Sequence, residues 1–191
     1  MVGLFGGSFD PIHLGHLIVG RAAAESLGLE QLRFMPTGEQ PLKRGRHEAS
    51  AEDRVAMVEA AIAGEAGMAL ERSEAERPGP SYTVDTLRAL HAQEPGRRFV
   101  VLLGADAVKD LARWHEVDAL PGLARVVAFA RPGAPRPKHP LLDEVVETPA
   151  VEISSTDIRR RVAAGQSIRF LVPEAVAAYI AARGLYRNGQ A

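Results

Sequence analysis

The sequence predicts an α/β fold: a single doubly wound (Rossmann-like) parallel sheet with helices on both faces and a C-terminal helical segment. Three observations lead there. Short apolar runs bounded by turn residues alternate with amphipathic helical patterns along the chain. That alternation requires right-handed crossovers, which make the strands parallel. A proline, a helical pattern and a glycine then follow one another near the end, the order of a helix that closes a fold. The chain has 191 residues, enough to bury a sizeable core, and residues 1–191 read as one domain.

Val2 to Phe5, Leu32 to Met35, Phe99 to Leu103 and Arg125 to Ala130 read as buried strands. The helical patterns are His16 to Leu27, Ala51 to Ile62 behind an N-cap at Ser50, Thr83 to Gln93, and Ala105 to Arg113. Pro173 opens the last helix in its first turn and Gly184 ends it. Pro36 to Ala49 and Arg131 to Pro140 lack periodicity and read as loops over the sheet edge; the second holds four of the 13 prolines.

Composition narrows the function classes. Hydrophobic residues make up 46% and charged residues 25%, which suits a globular chain and excludes the signature of disorder. A net charge of −1 argues against a nucleic-acid or membrane partner, so any polyanion must be gripped locally. With no cysteine there is no thiolate metal site and no cysteine nucleophile. The first residues, MVGLFGGSFDP, lack the pattern of a signal peptide and no later run spans a bilayer, so the expected setting is cytoplasmic. No interface signature is visible, which leaves monomer and homo-oligomer both open.

Gly6 to Leu17 (GGSFDPIHLGHL) leaves the first strand and enters a helix, where open α/β sheets bind ligands. Gly6 and Gly7 allow a tight turn and close approach, and the helix amino terminus offers amide donors to phosphate. His13 and His16, spaced i, i+3, can lie on one side of the first helical turn and clamp a phosphate chain, whose charge would raise their pKa. Either histidine alone would read as part of an ordinary strand-to-helix turn. A zinc pair lacks a nearby third ligand, and the dehydrogenase pattern GxGxxG is absent: Gly3 to Ser8 reads GLFGGS.

Ile153 to Val162 (ISSTDIRRRV) gathers Ser154, Ser155 and Thr156 before a helix, with Asp157 placed to complete a capping box and Arg159 able to reach a phosphate at the same terminus. In isolation this is equally a well-capped surface helix. Between the two motifs, PSYTVDTL puts Ser81 and Thr83 at a helix start suited to an anion. LLGADAVKDLARWHEVD carries Gly104 and Asp106 at a strand's carboxyl end, where a carboxylate can meet ribose hydroxyls, and then the single tryptophan, Trp114. A lone tryptophan more often packs in a core than stacks on a ligand.

These segments together resemble the nicotinate mononucleotide adenylyltransferases of the (T/H)xGH nucleotidyltransferase superfamily: FDPIHLGH, ISSTDIR, SYTVDTL, the GAD followed by tryptophan, FARPG at Phe129 to Gly133, and VPEAVAAYIAARGLY. The likeness runs from Val2 to Tyr186. It implies transfer of the adenylyl group of ATP to nicotinate mononucleotide, with magnesium entering on ATP. It implies that His13 and His16 are catalytic and bind the ATP phosphates, and that Gly7, Ser8 and Phe9 line the nucleotide pocket. Gly104 and Asp106 belong to the same ATP site, Asp106 on ribose, while Ser155, Thr156 and Arg159 hold the β and γ phosphates. Trp114 stacks on the nicotinate ring, and amides near Thr83 and His115 take its carboxylate. No resident metal site is implied. The sequence departs from the pattern after the second strand, where many members carry PPHK or PPHR: Gln40 to Lys43 reads QPLK, with no asparagine near Thr37, and Lys43 alone keeps the charge for a substrate phosphate.

Three rivals are weighed against this reading. Pantetheine phosphate adenylyltransferases share both ATP motifs but lack the SYT and tryptophan segments. A preference for nicotinamide over nicotinate mononucleotide turns on one amide against one carboxylate and is not decided by sequence. A noncatalytic nucleotide binder would be expected to lose His13, His16 or Arg159, all of which are intact.

Overall fold

The computed structural model describes residues 1–38, 47–130 and 132–187. Among them one sheet of six parallel strands is formed by β1 (Val2–Gly7), β2 (Gln31–Pro36), β3 (Met68–Leu70), β4 (Phe99–Leu103), β5 (Ala124–Ala130) and β6 (Glu144–Glu147), in the order β3-β2-β1-β4-β5-β6. Crossovers are supplied by α1 (Leu14–Ser26), α2 (Ala51–Ile62), α3 (Ser73–Glu76), α4 (Thr83–Gln93), α5 (Ala105–Asp110) and α6 (Leu120–Leu123). After β6 come α7 (Ser155–Ala163) and α8 (Glu174–Arg183). The winding reverses between β1 and β4, and a crevice opens there beyond the carboxyl ends of the strands.

Alternating side chains of the central strands feed two separate cores. Phe5, Val100, Leu102, Val127 and Phe129 point to the face covered by Ala23 of α1, Met57 and Val58 of α2, Ile158 of α7, and Val176 and Ile180 of α8. Val2, Leu4, Val101, Leu103, Val126 and Ala128 point to the face covered by Val84, Leu87 and Leu90 of α4, Val108 of α5 and Leu120 of α6. Strands buried on both sides are why these runs are apolar throughout. No helix among the described residues is long and apolar enough to cross a membrane.

Helices α2 and α4 fall on the residues expected, and Ser50 caps α2 by accepting a bond from the Asp53 amide at 3.0 Å. Elsewhere the boundaries differ. Helix α1 starts at Leu14, two residues before the expected start, with His13 as its N-cap. The segment from Ala105 divides into α5 and a 3-10 turn at Leu111–Arg113. Pro173 sits at the N-cap of α8, one position outside the first turn, where its extended backbone needs no amide donor; Gly184 ends the helix at φ 65°. The edge strands β3 and β6, of three and four residues, and the four-residue helices α3 and α6 were not expected, because none is long enough to display a period.

A buried carboxylate fastens the turn after β1. Asp10 is 3% exposed and accepts bonds from the Glu48 amide (2.8 Å), the Ala49 amide (3.2 Å) and the Tyr186 hydroxyl (2.6 Å). Burial and this bond to Asp10 push the Tyr186 hydroxyl far above its ordinary pKa. Arg54 of α2, 2% exposed, donates to the Ser8 carbonyl at 2.8 Å; burial lowers its pKa, and the charge of Asp10 opposes that shift. Asp10 is therefore more than the turn-former beside Pro11 that its position suggests. Tyr186→Phe is expected to destabilise the protein by about 1.5–3 kcal/mol, as for a hydrogen bond to a charged group. Asp10→Ala, which strands three donors and Arg54, is expected to cost about 3–5 kcal/mol. Urea unfolding midpoints check both.

Candidate functional site

The first strand delivers Gly6, Gly7 and Ser8 to a cavity of about 430 Å³ at the crevice. Met35 and Thr37 at the end of β2, Glu74 of α3 and Ser81, Tyr82 and Thr83 at the start of α4 also line it. So do Leu103 and Gly104 at the end of β4 and Ala107, Asp110, Arg113, Trp114 and His115 from α5 onward. The sequence placed Gly7, Ser8, Gly104, Thr83, Trp114 and His115 at such a site, and the fold brings them to one cavity.

The paired histidines do not line this cavity; they follow the turn that leaves β1, His13 as the N-cap of α1 and His16 in its first turn. Their rings stack, with centroids 3.6 Å apart and an interplanar angle of 23°. The fit depends on Gly15: a Cβ there would lie 3.0 Å from His13 Nδ1. The His13 amide donates to His16 Nδ1 at 3.3 Å, so that nitrogen carries no proton and the neutral ring holds its proton on Nε2. Burial lowers the pKa of His13 from 6.5 to about 4, and burial, with repulsion from His13, lowers that of His16 well below 6.5. Both rings are thus neutral at neutral pH in the unliganded protein. The charge expected from sequence requires an anion beside them. His13 Nδ1 is buried without a hydrogen-bond partner among the described residues.

Phe9 does not line the cavity. Its ring is 1% exposed and packs edge-on against His16 (centroids 5.0 Å) and against Phe5 and Phe34. This burial holds its backbone at φ 47°, a conformation unusual for a large side chain. The amide of Leu14, the first donor of α1, is already bonded to the Leu171 carbonyl at 2.9 Å and is not free for a ligand.

The second motif docks onto the first. Ser155 Oγ donates to the Pro11 carbonyl (2.9 Å) and Arg159 Nη1 to the Asp10 carbonyl (2.9 Å), which sets the amino terminus of α7 against the turn that carries the histidines. Ser154 caps α7 through the Asp157 amide at 3.1 Å. The Asp157 carboxylate pairs with Arg160 and Arg161 within its own helix, so the structure gives the box one half. Thr156 is exposed. Arg159 Nε meets Glu48 Oε1 at 2.5 Å.

On the other side, the rings of Tyr82 and His115 lie 4.3 Å apart with Trp114 next in the chain. Asp106, expected on ribose, points away: its carboxylate pairs with Lys109 at 2.8 Å and its side chain is 89% exposed. It does not line the cavity, although Ala107 and Asp110 of the same helix do. Lys43 and the rest of Gln40 to Lys43 lie outside the described residues.

Glu74 and Thr37 were missed by sequence reasoning. Glu74 sits in ERSEAER, a run that reads as a solvated charged face, yet it is 3% exposed. Its carboxylate accepts from Thr86 Oγ1 at 3.3 Å, and burial raises its pKa from 4.5 to about 7, against the opposing charge of Arg77. A raised carboxyl pKa gives stability that is complete below pH 4.5 and lost as pH rises through about 7. Glu74→Gln removes that loss. Relative to wild type, the variant is expected to gain about 3 kcal/mol between pH 4.5 and pH 8, checked by denaturant unfolding at both pH values.

The cytidylyltransferase-like family model matches residues 4–161. A Gemmatimonas aurantiaca protein named "Probable nicotinate-nucleotide adenylyltransferase" is 46% identical, over 98% of this chain and 92% of its own. A Thermus thermophilus protein of the same name is also 46% identical, over 97% of this chain and 99% of its own. The solved structure of Plasmodium falciparum nicotinic acid mononucleotide adenylyltransferase complexed with NaAD is similar in fold, with a TM-score of 0.75 at 19% identity over 97% of this chain and 96% of that one. The chain belongs to the cytidylyltransferase-like family and, through likeness along nearly its whole length, to the nicotinate-nucleotide adenylyltransferases.

Proposed function

We propose that this protein transfers the adenylyl group of ATP to nicotinate mononucleotide, giving nicotinate adenine dinucleotide and pyrophosphate. The observation that carries this reading is the stacked pair His13 and His16 at the start of α1, on the turn after the strand whose end, Gly6 and Gly7, lines a cavity walled by Thr83, Trp114 and His115. Phosphate binds on the histidine side and a planar ring on the tryptophan side. The 5′ phosphate of the mononucleotide attacks the α phosphorus of ATP in line. The bond between the α phosphorus and its bridging oxygen breaks, and pyrophosphate leaves toward the histidines and α7.

Such transfers leave the protein little covalent work beyond alignment and neutralising charge. His16 Nε2–H is a donor even when the ring is neutral, and an approaching polyphosphate raises both histidine pKa values. Gly7 and Ser8 lie along the phosphates, and Gly104 lies at ATP. Ser155, Thr156 and Arg159 hold the β and γ phosphates once Arg159 exchanges Glu48 for a phosphate oxygen. Asp106 reaches ribose by leaving Lys109. Lys43 meets the phosphate of the acceptor. Trp114 stacks on the nicotinate ring, while amides at Thr83 and His115 take its carboxylate. Magnesium enters as part of MgATP; among the described residues no three His, Asp or Glu side chains converge as ligands.

Pyrophosphate release is expected with nicotinate mononucleotide, far less with nicotinamide mononucleotide and none with phosphopantetheine. His16→Ala is expected to lower kcat by about 10²–10³-fold, as for loss of a donor to developing charge. Activity with phosphopantetheine alone would overturn the acceptor assignment. Because the free histidines are neutral and the bound ones gain a proton, MgATP binding near pH 6.5 is expected to take up as much as about one proton. Calorimetry in buffers of different ionisation enthalpy measures this uptake, which is expected to vanish in His13→Asn/His16→Asn.

A further inference from the structure

We infer that Thr37 and Glu74 read the ribose hydroxyls of the acceptor mononucleotide, an inference that rests on the function proposed above. Thr37 is 7% exposed, lines the cavity, and its Oγ1 is buried with no hydrogen-bond partner among the described residues. An unpaired buried hydroxyl is costly unless a ligand completes it. Glu74 lines the same cavity, and among the described residues its carboxylate holds a single long bond, from Thr86. Together they offer a donor and an acceptor, which is what a vicinal diol requires, since each hydroxyl both gives and takes a hydrogen bond.

Their place in the cavity selects the ribose over the other parts of the acceptor. The Thr37 amide donates to the Gly7 carbonyl at 3.0 Å, so Thr37 adjoins the phosphate cradle. At the other end, Ser81 Oγ donates to the Glu74 carbonyl at 3.0 Å, and Ser81 leads directly to Tyr82 and Thr83, which face the ring. The Thr37 and Glu74 wall thus spans the stretch between phosphate and ring, and in a mononucleotide that stretch is the ribose. The wall is rigid: at Gly38 a Cβ would lie 2.2 Å from the Glu74 carbonyl oxygen and 2.7 Å from Ser81 Oγ, so the end of β2 and α3 are pressed together. Among the described residues that line the cavity the other carboxylate is Asp110, which pairs with Arg113 at 3.5 Å.

The test compares nicotinate mononucleotide with its 2′,3′-dideoxy counterpart in wild type, Thr37→Val, Thr37→Ser and Glu74→Gln. Binding is read by quenching of Trp114, the single tryptophan, and turnover by pyrophosphate release. Wild type is expected to prefer the parent by about 30-fold or more in kcat/KM, the discrimination of a site that hydrogen-bonds a substrate hydroxyl. In Thr37→Val and Glu74→Gln the preference is expected to shrink to about threefold, with the KM for ATP within about twofold of wild type; Thr37→Ser restores it. If Glu74→Gln fails to fold, the valine and serine variants of Thr37 decide alone. Undiminished ribose preference in Thr37→Val overturns the inference and leaves the adenylyl transfer standing. Wild type that binds the parent without releasing pyrophosphate overturns the transfer alone, because quenching still reports the ribose preference. Wild type that does not bind the parent overturns both.

Discussion

The site depends on the burial of one carboxylate. Asp10 follows a phenylalanine held in a left-handed conformation, and the turn it belongs to must present Gly7, Ser8, His13 and His16 in fixed relation. Three donors from two distant parts of the chain converge on it: the amides that lead into α2, and the hydroxyl of Tyr186 beyond α8. Arg54 adds its charge from below and holds the Ser8 carbonyl. A charge this deep is tolerated only when paired and hydrogen-bonded, so the turn is locked by whatever satisfies Asp10. The chain's last tyrosine is in that sense part of the loop after its first strand. Arg159 and Ser155 use the same turn as their anchor, through the backbone oxygens of Asp10 and Pro11.

Much of this was legible in the sequence where length and periodicity were sufficient. The four central strands and helices α2 and α4 are long enough to show their apolar pattern, and Gly184 marks the end of α8 because only a few residue types accept that backbone. Edge strands of three or four residues carry no period, and α3 is a single turn inside a charged run. The histidine pair and Trp114 could be named from motif residues. Their protonation could not, because it is set by burial, for His16 against Phe5 and Phe9, which a local pattern does not display. Asp106 shows the opposite limit: its place just after β4 predicts a carboxylate facing the crevice, while its side chain in the unliganded fold is directed to Lys109.

Glu74 illustrates why function can hide in unremarkable composition. A glutamate flanked by arginines, serine and another glutamate has every appearance of a surface residue, and only tertiary burial under β2 and α4 separates it from its neighbours. Burial disfavours its charged form, so its ionisation as pH rises toward about 7 works against the fold.

The two hydrophobic cores have a consequence for how such a protein changes over generations. The groups proposed to handle phosphate, His13, His16 and Arg159, stand at α1 and α7, which pack in one core, while those proposed to face the ring, Thr83, Trp114 and His115, stand at the start of α4 and after α5, which pack in the other. The sheet lies between them as a partition. Substitutions that reshape one layer leave the packing of the opposite layer untouched, since additive effects are the rule for sites without shared neighbours. A lineage can therefore alter the ring-facing layer while the packing behind the histidine turn stays as it was.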